Sequence, residues 1–132
     1  MSGYLLDTAI FLWSLANPEK LNKKAVVLLE DTQQTLFLSP VSSWEISMKW
    51  ASGKLRLPEA PSAYVTKRLS SHAIRSLPIT HLHALAAGEL PRHHLDPFDR
   101  MLIAQAQSEN MVLLTSDPVF RNYEVETVWC GR

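Results

Sequence analysis

Residues 95–117 read LDPFDRMLIAQAQSENMVLLTSD, and their order decides the fold. Asp96 before Pro97 is a helix N-cap followed by a residue whose fixed φ suits the first helical position. The helix places Asp99 on the side of Ile103 and Ala106, which meets a sheet, and turns Arg100, Gln107 and Ser108 to water. Val112–Thr115 is then a strand, and Ser116-Asp117-Pro118 turns away from it. The two acidic turns should therefore meet at one rim of a sheet. A carboxylate facing that sheet must be paired, capped or bound to a metal. The rival for Asp99 is the favourable field of its helix N-terminus, and for Asp117 a simple Asp-Pro turn.

Similar units lie N-terminal to this stretch. Tyr4-Leu5-Leu6 is a short strand ending at Asp7, and Thr8 opens a helix that Asn17-Pro18 stops. Leu21 to about Gln33 carries Leu21, Ala25, Leu28 and Leu29 at helical spacing, and Thr35–Leu38 is a second strand. A helix is expected from near Ser42 to about Gly53, with Trp44, Met48 and Ala51 packing and Glu45 in its first turn. Ser42 and Glu45 have capping-box spacing, which competes with a role for Glu45 at the sheet rim. Ala60–Leu69 reads as a modest helix, Leu77-Pro78-Ile79 as an edge segment, and Thr80 as the cap of a helix ending near Gly88. Glu124–Trp129 is expected to return as a terminal strand, with Asn122 and Tyr123 as connectors.

The 132 residues, 46% of them hydrophobic, suit one domain with a true core over residues 1–132. No apolar run approaches a bilayer span and the N-terminus lacks an export-signal pattern, so a cytoplasmic protein with no membrane partner is expected. The 13 basic and 13 acidic side chains argue against a polycationic nucleic-acid coat, but leave room for an acidic centre bordered by Lys49, Lys54 and Arg56. His81, His83, His93 and His94 match no defined zinc spacing, and His72 has no distinctive neighbours. Arg92, His93 and His94 stand beside the acidic turn, where they could meet phosphate or simply water. Single Cys130 can form no internal disulfide, and Trp13, Trp44 and Trp50 suit core or partner contacts better than base stacking.

Short strands separated by helices predict an α/β sandwich with a mostly parallel sheet. In it Asp7, Glu45, Asp99 and Asp117 can converge at the C-terminal rim, where open α/β folds bind ligands. Four carboxylates raise one another's charging energy unless a cation compensates, and oxygen donors suit Mg²⁺ or Mn²⁺. Such a centre points to hydrolysis of a phosphodiester. A metal-dependent small-molecule phosphatase would use the same carboxylates, and a noncatalytic regulatory domain could keep the acids for stability alone.

The segments LLDT (5–8), SSWEISMKWASGKL (42–55), LPITHLHA (77–84), HLDPFDRMLIAQA (94–106) and LLTSD (113–117) together resemble the PIN-domain family, most closely its VapC-type toxin branch. The resemblance spans nearly the whole chain. It implies a PIN-like three-layer sandwich, an endoribonuclease with a Mg²⁺ or Mn²⁺ pocket, a homodimer, and inhibition by a cognate antitoxin. It makes Asp7, Glu45, Asp99 and Asp117 the metal-site acids, with Thr115, Arg100 and Asp96 as auxiliary residues. RNA as substrate follows from the resemblance, because the hydrolytic chemistry alone would also accept DNA.

Overall fold

In strands β1 (Tyr4–Leu6), β2 (Leu36–Leu38) and β4 (Val112–Thr115), neighbouring side chains alternate between two buried layers. Leu5, Phe37 and Leu113 enter one layer, and Leu6, Leu38 and Leu114 the other. Both faces of the sheet are therefore covered, which is why these strands read as continuous apolar runs. This is the arrangement in the computed structural model, which describes residues 3–132. Among the described residues, β3 (Arg75–Ser76) and β5 (Thr127–Trp129) complete a five-stranded sheet in the order β3-β2-β1-β4-β5. Every neighbouring pair of these strands runs parallel.

One layer beside the sheet holds Ile10 and Phe11 of α1 (Thr8–Ala16), Ala25 of α2 (Lys23–Glu30), and Tyr64 and Val65 of α4 (Pro61–Ser71). The other is centred on Leu102, Ile103 and Ala106 of α6 (Pro97–Glu109), against which α5 (His81–Glu89) packs. Helix α3 (Pro40–Ala51) joins them, giving Val41 to one layer and Ile46 to the other. The chain reverses its direction of winding between β1 and β4, so their C-terminal ends border the crevice where such sheets bind ligands. The α/β sandwich expected from sequence is the one observed.

The stretch 95–117 folds as its residues dictate. Asp96 caps α6 by accepting from the Asp99 amide at 3.0 Å. Asn110 ends the helix in the left-handed region (φ 55°, ψ 45°), which Asn tolerates better than most residues, and the chain turns directly into β4.

Several boundaries differ from expectation for identifiable reasons. Helix α3 begins at Pro40 rather than Ser42, because Ser39 caps it by accepting from the Val41 amide at 3.1 Å. Ser42 is buried and its hydroxyl accepts from Thr8 Oγ1 at 2.8 Å, so there is no Ser42–Glu45 capping box and Glu45 lies beyond the first turn. The earlier start aims Val41, Ser42, Glu45 and Ile46 inward, leaving Trp44 57% and Met48 48% exposed instead of packed. Helix α2 is shorter than Leu21–Gln33: Asn22 caps it, and Leu21 pairs with Gly131 across an antiparallel bridge. The edge strand precedes Leu77, whose amide still donates to the Leu38 carbonyl before Pro78 ends the ladder. The last strand shrinks to Thr127–Trp129, since the Val125 amide turns back to the Tyr123 carbonyl at 2.9 Å and pairing with β4 begins only at the Glu126 carbonyl.

Candidate metal centre

Each of the four predicted acids reaches the same rim by a different route. Asp7 follows β1 and stands at the start of α1, but its side chain makes no capping bond there. The carboxylate is instead held by Thr115, at the end of the adjacent β4, which donates to Asp7 Oδ2 at 2.9 Å. Thr115 Oγ1 also accepts from the Asp117 amide at 3.0 Å, and Asp117 Oδ1 accepts from the Val119 amide at 3.0 Å. Asp99 sits in the first turn of α6, whose N-terminus points to this rim, and Glu45 projects inward from α3.

Asp7, Glu45, Asp99 and Asp117, with Asp96, line one cavity of about 570 Å³. Lys49 and Lys54 lie on its border as expected, while Leu12, Trp13 and Leu55 supply an apolar wall. Lys49 Nζ is 2.6 Å from Glu45 Oε2, an i,i+4 pair that the sequence order Glu then Lys favours. That hydrogen bond raises Lys49 above the ordinary lysine value, with the charges of Asp96 and Asp99 adding to it.

The cavity burdens its own carboxylates. Burial pushes Asp7 up to about 6 against the opposing Thr115 hydrogen bond, and the charges of Glu45 and Asp117 push the same way. Asp99 is pushed up to about 8, first by burial and then by Asp96, Asp7, Glu45 and Asp117. An all-oxygen donor set whose members obstruct one another's ionisation fits a hard divalent cation. Among the described residues, no three His, Cys, Asp or Glu side chains form a ready-made metal-ligating group, so the acids share a cavity without closing into a ligand cage.

Arg100 departs from expectation. It is buried rather than turned to water, and its guanidinium donates to the carbonyls of Leu90 (2.9 Å), Pro91 (2.9 Å) and His94 (3.1 Å). Its fork organises the loop before α6 instead of facing the cavity. His83 is buried between Glu109 and the Thr80 amide, completing the cap of α5. His94 contacts both Tyr123 and Asp99, a link that sequence reading missed because Tyr123 lies beyond β4 with no local signal of its partner.

A model of the PIN domain matches residues 4–126. The chain belongs to the PIN-domain family. Ribonuclease VapC22 of Mycobacterium tuberculosis is 29% identical to this PIN-domain chain over 134 aligned positions, covering 98% of this chain and 100% of VapC22. Ribonuclease VapC16 of the same organism is 32% identical over 56 residues, a match spanning 42% of this chain and only 40% of VapC16. The fold is also that of VapBC2 from Rickettsia felis, solved bound to a DNA fragment from its promoter. That likeness has a TM-score of 0.72 at 17% identity, covering 98% of this chain and 99% of the other. The PIN fold thus accounts for the parallel sheet.

Proposed function

We propose that this chain is a divalent-metal-dependent endoribonuclease, acting as the toxin of a toxin–antitoxin pair. The observation carrying this reading is that Asp7, Glu45, Asp99 and Asp117, from four separate elements of a PIN-domain chain, line one cavity bordered by Lys49 and Lys54. RNA as the substrate is supported by the ribonuclease names of VapC16 and VapC22. A protein antitoxin and a homodimer are inferred from the VapC-type resemblance, and a toxin ribonuclease held by an antitoxin would meet its RNA in the cytoplasm. Among the described residues, no helix is long and apolar enough to cross a membrane.

Asp7, Glu45, Asp99 and Asp117 would hold Mg²⁺, with Mn²⁺ as a substitute, and the nuclease domain is taken as residues 1–132. Bound there, the cation would lower the pKa of water and stabilise charge on the phosphodiester oxygens. Thr115 holds the Asp7 carboxylate in place, and Asp96 starts the helix that presents Asp99. Lys49 and Lys54, on the border of the cavity, would offer positive charge to the phosphates of a bound strand.

Purified protein incubated with structured and unstructured RNAs should cleave with Mg²⁺ or Mn²⁺ and stop with chelator. Asp99→Asn should lower the rate by roughly two orders of magnitude or more, since it removes charge at nearly constant volume. Equal cleavage by the parent and the variant would overturn the role assigned to Asp99.

A further inference from the structure

His94 and Tyr123 form a support behind Asp99. Tyr123 is buried, and its hydroxyl lies 2.6 Å from His94 Nδ1. The same oxygen faces the His94 backbone amide at 3.3 Å. That amide can only donate, so the phenolic oxygen accepts from it and has its own proton available for Nδ1. With the phenol donating to Nδ1, the neutral imidazole carries its proton on Nε2, which faces Asp99 Oδ2 at 3.4 Å. In that pairing Tyr123 favours the tautomer that turns a donor toward Asp99.

Other contacts fix this support from three sides. The His94 ring meets the Tyr123 ring edge-on with centroids 5.4 Å apart, and His93 meets Tyr123 similarly at 4.9 Å. The His94 carbonyl is held by Arg100. Asp99 is anchored through its backbone to Asp96. Its side chain has no other hydrogen-bond donor among the described residues, so Oδ1 is left open.

We propose that His94, with its tautomer set by Tyr123, is a positioning residue that holds Asp99 Oδ2 and presents Oδ1 to the cation. This rests on the metal-centre reading above and extends it to residues the four-acid pattern does not contain. Carboxylates that bind metals depend on such outer hydrogen bonds, whose loss typically weakens metal binding about 10–100-fold. The 3.4 Å separation is long for a hydrogen bond, as expected of a contact that shortens when the carboxylate is engaged.

The test uses Mn²⁺ alone, titrated into the full chain without RNA and followed by electron paramagnetic resonance of the free ion. His94→Leu should weaken Mn²⁺ binding by about tenfold or more, whereas His94→Gln, which carries an amide donor of similar reach, should recover most of it. Tyr123→Phe keeps the ring and loses the hydroxyl. It should weaken binding by about three- to tenfold and, by nitrogen-15 NMR at alkaline pH, release His94 from a single Nε2–H tautomer into a mixture. Thermal unfolding in chelator should remain cooperative for each variant.

Unchanged Mn²⁺ affinity in His94→Leu, or equal loss in His94→Leu and His94→Gln, overturns the positioning role. If His94→Leu does not fold, Tyr123→Phe decides: parental affinity together with an unchanged tautomer overturns it. A parent that binds no Mn²⁺ overturns the metal-centre reading itself and this role with it. A parent that binds while His94→Leu matches it overturns only the role of His94.

Discussion

Thr115 Oγ1 donates to Asp7 Oδ2 at 2.9 Å while accepting from the Asp117 amide at 3.0 Å, so one hydroxyl ties together the acids that follow β1 and β4. Parallel pairing of those strands sets Leu6 beside Leu114, and the next residues along bring the two sides of the crevice into reach. Thr115→Val keeps the shape but orphans a buried carboxylate oxygen and an amide hydrogen. Its expected cost is about 1–3 kcal/mol at neutral pH, read from urea unfolding in chelator, with Thr115→Ser recovering most of it. The loss should shrink below pH of about 6, where Asp7 becomes neutral and its hydrogen bond loses charge assistance. A Thr115→Val curve superimposable on the parent at neutral pH would rule out this tie as a stabilising contact.

Metal-free protein should lose stability as pH rises from about 4 to about 8. Asp7 at about 6 and Asp99 at about 8 keep protons in the folded state that an ordinary carboxylate of 3.8 has already released when unfolded. The folded state thus binds more protons across that interval, and stability falls with rising pH. For Asp99, solvent screening at a partly open cavity reduces the expected effect to about 1–3 kcal/mol. Asp99→Asn should flatten the profile and make the metal-free variant more stable than the parent at about pH 8. Urea midpoints across the pH series, with chelator throughout, would contradict this assignment if both proteins traced the same curve.

The sheet was legible because its strands are short apolar runs buried on both faces, a property written in consecutive residues such as Leu5-Leu6 and Leu113-Leu114. The acids were legible for a related reason: Asp7, Asp99 and Asp117 sit where strands end and helices begin, positions marked by Pro97, Pro118 and the change of hydrophobic period. Placing Glu45 was harder. The Ser42–Glu45 spacing suggested a cap, whereas Ser39 caps the helix, Ser42 is buried against Thr8, and packing of that face leaves Trp44 outward. Side chains whose partners are distant in sequence gave no local sign. His94 meets Tyr123 across the α6–β4 unit, so neither residue's neighbours could announce the pair.

Arg100 illustrates the same limit and gives the most direct stability test. Helical spacing turns it toward water, but the loop leading into α6 folds back over it, and three otherwise unpaired carbonyls convert an exposed position into a buried one. Arg100→Met should destabilise the metal-free protein by about 2–4 kcal/mol, because it leaves the carbonyls of Leu90, Pro91 and His94 without donors. Arg100→Lys should still lose roughly half as much, since one ammonium cannot reproduce a planar fork that reaches three oxygens. A phosphate-contacting arginine behaves differently: Lys keeps the charge, leaves unfolding unchanged and alters only RNA affinity. Urea midpoints for the parent, Arg100→Met and Arg100→Lys therefore separate the two roles, and a lysine variant as stable as the parent would return Arg100 to the substrate side of the site.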